Sequence, residues 1–204
     1  MIAIGLTNLI LLRRTKQMES RISKSTLRIV WAAICLALAI ILPFVTGNIP
    51  TFGQLLCPMH LPVLLCGFLC GPIWGMVVGF VAPLLRTVLF QMPPFPNAAV
   101  PMAFELLTYG GVAGLCYQLF PKKKVFLWVD LIIAMICGRI VGIIAKIILF
   151  TALGLTGKIT AAALFASYVT DTIPGMIIQI VLIPLIVIGL KKAKLIPYEE
   201  KKKD

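Results

Sequence analysis

Acidic residues are scarce in this chain: seven Asp and Glu stand against nineteen Lys and Arg, with one histidine, giving a net charge of +12 over 204 residues. Charged residues of both signs make up only 13% of the chain, while 60% of it is hydrophobic. A soluble domain needs a charged surface, so this scarcity excludes one and indicates a single integral membrane domain. Catalytic motifs are missing too. No G-x-x-x-x-G-K-[ST] phosphate loop occurs, and Gly154-Leu155-Thr156-Gly157-Lys158 has the wrong spacing to serve as one. H-E-x-x-H, paired catalytic carboxylates and a G-x-S-x-G elbow are also lacking. Without a nucleophile beside a base, an intramembrane enzyme is disfavoured, and no catalytic residue, cofactor or metal site is expected. Such a chain either moves a solute passively or borrows energy from a partner.

The basic residues that are present cluster at the ends of apolar runs, which encodes orientation in a bilayer rather than a nucleic-acid face. The apolar runs predict six spans, at about Leu27 to Val45, Leu55 to Gly71, Pro72 to Phe90, Ala98 to Phe120, Val125 to Leu153 and Ala161 to Leu190. Six basic residues flank the first span on its N-terminal side (Arg13, Arg14, Lys16, Arg21, Lys24 and, at its very start, Arg28), three follow the fourth (Lys122 to Lys124), and six lie in the tail. The opposite loops hold only Lys158. Fifteen against one places both termini in the cytoplasm. The expected fold is therefore an all-α bundle of six transmembrane helices in the cell membrane. A basic leader (residues 1–26) precedes the membrane domain (27–190), and a basic tail (191–204) follows it. The apolar stretch Ile2 to Leu12 has its charges after it, so it is neither a secretory signal nor long enough to span.

Six cysteines are present, five of them well inside apolar runs. Cys66 and Cys70 share a helical face but have no histidine or carboxylate beside them in sequence to complete a zinc site, so they read as packing residues. Gly67, Gly71, Gly75 and Gly79 recur every fourth residue, a flat stripe that lets helices approach closely in lipid.

Ionisable groups inside spans are costly and mark functional sites. At about 1.5 Å per residue, His60, Arg86, Glu105, Lys146 and Asp171 fall roughly 6 to 15 Å below the outer surface on five different helices. They are the candidate substrate-binding residues. Asn97 joins them from the proline-rich break Gln91 to Asn97, which reads, like Thr46 to Gly53, as an uncharged lid over a cavity open to the outside. Self-satisfied pairing, Arg86 with Glu105 and Lys146 with Asp171, is the structural alternative. Arg139 falls deeper, near the midplane, as a structural partner. Asp130 falls near the cytoplasmic end of its span and reads as interfacial.

The segment Met59-His60-Leu61-Pro62-Val63-Leu64-Leu65-x-Gly67, followed by Gly71-Pro72-x-x-Gly75-x-x-x-Gly79, stands in a chain of six short spans with Ala33-x-x-x-Ala37 on the first. This arrangement resembles the substrate-binding S components of energy-coupling factor transporters, over about Leu27 to Leu190. The resemblance implies a non-enzymatic binder of a small water-soluble vitamin or related metabolite, with pantothenate importers nearest by the His60 segment. It also implies a transmembrane coupling subunit and two cytoplasmic ATPase subunits as partners, with Ala33 and Ala37 at the contact to the coupling subunit and toppling in the membrane to release solute. A different class stays open at this point, a small secondary transporter in which Glu105 or Asp171 exchanges a proton.

Overall fold

Gly71 breaks the chain where the sequence predicts a bare turn. Its φ of 93° lies in the region that side chains disfavour, and Pro72 then opens the next helix with the fixed φ that a first helical position needs. The computed structural model describes residues 25–44, 58–121, 124–154 and 173–193, and all of the regular structure among them is helical. Six helices follow in order: α1 Ser25–Phe44, α2 His60–Cys70, α3 Pro72–Phe90, α4 Ala99–Leu119, α5 Lys124–Ala152 and α6 Ile173–Lys192. Five are at least 19 residues long and apolar enough to cross a bilayer, since about 20 residues span the hydrocarbon core of roughly 30 Å.

The third and fourth spans lie where the apolar runs put them. The second differs. Its described part is α2, only 11 residues long, or about 16 Å of helix, too short to cross; residues 45–57, which precede its turn, lie outside the described residues. The predicted sixth span likewise reaches back into residues 155–172, which are not described, and α6 itself begins at Ile173.

The short helix is the most enclosed. Ten of its 11 residues are buried, and it packs with α3 and α5 around α4, which is the central element. The glycine stripe makes that packing close. A Cβ on Gly67 would lie 2.5 Å from the Gly110 carbonyl oxygen, and Gly75 and Gly110 meet backbone to backbone, so neither has room for a methyl group. The stripe predicted from spacing is thus the seam between the α2–α3 hairpin and α4.

Along the outside, Ile132, Ile136, Ile140, Ile144 and Ile148 of α5 are exposed, an apolar surface suited to lipid. Cys35, Cys66, Cys70 and Cys116 are buried free thiols, in keeping with a packing role. Asp130 corrects the interfacial reading: it is 2% exposed, and its Oδ1 accepts no hydrogen bond from the described residues. The reason is azimuth, because Asp130 shares the inward face of α5 with Leu127, Leu131 and Ala134.

α3 ends at Gln91, which adopts a left-handed conformation (φ 58°) with its N–H on the Thr87 carbonyl at 2.9 Å. The Thr87 hydroxyl lies 2.9 Å from the carbonyls of both Pro83 and Pro93, tying the proline-rich break back onto the helix it leaves. Five residues after Pro94 the chain is helical again, with the N–H of Ala98, just before α4, on the Pro94 carbonyl at 3.0 Å.

Candidate functional site

Three helices bring polar side chains to one point inside this apolar bundle. His60 opens α2, Glu105 lies in the second turn of α4, and Arg139 lies near the middle of α5. Arg139 Nη1 is 3.1 Å from Glu105 Oε1, and His60 Nε2 approaches the same oxygen at 3.5 Å. Both are ion-pair contacts, and Arg139 is the closer partner of the carboxylate. Four residues after Glu105, and therefore on the same face, Tyr109 is fully buried with its ring edge-on to His60 at 5.3 Å between centroids. Gly138 makes this possible, because a Cβ there would overlap the Tyr109 ring. Burying charged groups is expensive unless they are paired, and the ion pair of Arg139 with Glu105 offsets part of that cost.

The two ends of the pair expected between Arg86 and Glu105 have other partners. Glu105 is with Arg139 and His60, while Arg86 donates from Nη1 to the Ile40 carbonyl of α1 at 2.7 Å. Its guanidinium also lies 5.0 Å from the Phe44 ring centroid and 5.8 Å from that of Phe90, and the two rings pack edge to face at 4.8 Å. This joins α1 to α3. Arg86 continues the α3 face formed by Gly75, Gly79 and Ala82, but α1 crosses at that level, where Ala39 and Ala82 share a cluster with Met59. The negative end of the α1 dipole supplies a further reason for a cation there. Replacing Arg86 with Ala should destabilise the fold by about 2–3 kcal/mol, the range for a lost charge-assisted hydrogen bond with its ring contacts. Lysine should restore only part of this, as read by thermal unfolding in detergent.

A profile of the family described as ECF transporter, substrate-specific component, matches residues 27–187. The chain belongs to this family. No curated protein and no solved structure matches it. This S component is therefore a substrate-binding subunit of a transporter and not an enzyme, a multi-pass protein of the plasma membrane. Membership also implies a transmembrane coupling component and ATPases as partners.

The remaining sequence candidates of the S component lie elsewhere or are not described. Lys146, half-buried on α5, has its Nζ 6.0 Å from the centroid of Phe150. Asn97 is exposed in the turn before α4. Asp171 lies outside the described residues. Ala33 and Ala37 are exposed on α1, whereas Ala32, Cys35 and Ala39 turn inward. Among the described residues, no group of three His, Cys, Asp or Glu side chains is placed to hold a metal.

Two members of the cluster were not among the sequence candidates. Arg139 read as a deeper structural partner because counting from helix ends measures depth poorly in a 29-residue helix, and because a long side chain carries its charge well away from its own Cα. Tyr109 carried a usable signal, its four-residue spacing from Glu105.

Proposed function

We propose that this S component captures a small water-soluble vitamin or related metabolite, pantothenate-like in kind, from the outer side. It then delivers the solute inward together with a transmembrane coupling subunit and two cytoplasmic ATPases. The observation that carries this reading is the meeting of His60, Glu105 and Arg139 on three helices of a mostly apolar bundle. A polar cluster at such a place offers hydrogen bonds to a solute that lipid cannot. In this reading His60 and Glu105 face the solute, Lys146, Asp171 and Asn97 contribute further polar contacts, and Arg86 supports the site by fixing α1 against α3. The distribution of basic residues supports six spans with both termini, the leader and the tail in the cytoplasm.

The exposed face of α1 suits the coupling subunit, since small residues four apart admit a second helix closely. Substituting Trp for Ala33 or Ala37 should lower uptake by about tenfold or more while solute binding changes less than about twofold, because a bulky residue blocks helix approach but lies outside the solute site. Radiolabelled uptake in cells, set against equilibrium binding to the purified chain, reads both numbers.

The direct test compares the isolated chain with the assembled transporter in vesicles. Binding should survive without ATP and without partners, and sustained uptake should need both. Full-rate uptake by the chain alone, driven by a proton gradient, would instead establish the proton-coupled carrier.

A further inference from the structure

We propose that Met59 and Met102 form a movable plug on the outer side of the cluster of His60, Glu105 and Arg139, and that their side chains swing aside to admit a solute. This rests on the cluster being the solute site and adds the residues that control access to it.

The side chains of His60 and Glu105 are only 3% and 2% exposed, so a solute reaches them only after something moves. Much of what surrounds them is held by backbone or by packed rings. The α2–α3 hairpin meets α4 through glycines that leave no room for a methyl group. Tyr109 lies one turn further into α4 than Glu105, and its ring is pressed against Gly138 of α5. Arg86 ties α1 to α3 through the Ile40 carbonyl, beside Phe44 and Phe90.

The side toward the proline-rich break is built differently. Met102 stands three residues before Glu105 on α4, on the same face and about 4.5 Å nearer the break. Met59 directly precedes His60. It is 4% exposed and shares a small cluster with Ala39 of α1 and Ala82 of α3, against which Met102 and Leu36 pack. Met102, half-buried, also packs against the main core, so it bridges the two clusters. This layer is wholly apolar, and by excluding water it strengthens the polar contacts beneath it. Methionine suits a plug that opens, because its unbranched chain has three rotatable bonds and changes rotamer without breaking a backbone hydrogen bond. Ala39 and Ala82 present only methyl groups to Met59, which gives its far end no branched neighbour to interlock with.

Two readouts test the plug, and one needs no solute. His60 is the one histidine of the chain, so diethyl pyrocarbonate, a small imidazole reagent, reports its accessibility by peptide mass mapping of the purified, tag-free chain. The other readout is the association rate of radiolabelled pantothenate, biotin, thiamine and riboflavin, taken for whichever the wild type binds. Met59→Ala with Met102→Ala, its folding checked by size exclusion and thermal unfolding, should raise both rates by about tenfold or more, as expected when a closed state no longer limits encounter. Met59→Leu with Met102→Leu keeps the volume but stiffens the side chains, and should slow both rates by about threefold. The leucine variant decides the matter if the alanine variant fails to fold.

Labelling and association that stay unchanged in the folded variants overturn the proposal. So does faster dissociation with association unchanged, which would make the methionines solute contacts rather than a plug. A wild type that binds no vitamin of the panel overturns the vitamin reading, and His60 labelling then decides the plug by itself: a rise in the alanine variant upholds it, and no change removes it.

Discussion

Replacing Arg139 with Met is expected to destabilise the protein by about 3–5 kcal/mol, because it leaves the Glu105 carboxylate enclosed without its closest countercharge. Glu105 is 2% exposed, its Oε1 is 3.1 Å from the lost guanidinium, and His60 stands farther off, at 3.5 Å. The double variant, Arg139→Met with Glu105→Gln, should recover most of this loss, since no buried ion is left uncompensated. A double-mutant cycle on thermal or denaturant unfolding in detergent measures the coupling. Additive losses would mean that the two residues act independently despite their contact.

The second large effect comes from a single methyl group. Gly75→Ala and Gly110→Ala each place a Cβ against the facing backbone rather than against a movable side chain. The hairpin of α2 and α3 would have to move off α4, and we expect a loss of about 3 kcal/mol or more, at or beyond the upper end for overpacking. Gly189→Ala, in α6, is the control. Nothing lies within 4 Å of a Cβ built there, so the same methyl should be neutral or add about 0.5–1 kcal/mol through helix propensity. Equal effects at the three positions would remove the seam as a source of stability.

These two expectations differ in how far the sequence alone reaches them. The seam was legible: glycines four apart, turned at Gly71-Pro72, form a flat stripe suited to close helix approach in lipid, and the partner helix carries its own Gly110 and Gly114. Residue counts put His60 and Glu105 at one depth, together with Arg86, Lys146 and Asp171, but did not single out this pair.

What residue counts do not give is direction around each helix axis. Arg86 and Arg139 are both long cations with several donors, and at the level of depth Arg86 was the better match for Glu105. The choice between them was made by tertiary packing. α1 crosses α3 where Arg86 reaches the Ile40 carbonyl, and Gly138 lets α5, with Arg139, close on Tyr109 of α4. Asp130 shows the same limit from the other side. Its place near a helix end suggested an interface, and only its azimuth, shared with Leu131 and Ala134, takes it into the core. The length of α2 was hidden for a different reason, since an apolar run that continues past Pro58 gives no sign of where its helix begins.

At the centre of this account is one claim, that the cluster of His60, Glu105 and Arg139 forms the solute site of an S component. Native mass spectrometry of the chain, purified from cells and offered a panel of water-soluble vitamins, tests it most directly. The account predicts a one-to-one adduct of a small water-soluble metabolite on the wild type, and its loss from the folded variant carrying Arg139→Gln and Glu105→Gln. A bare wild-type chain in the presence of every vitamin offered, or an adduct that the double variant holds equally well, would contradict it.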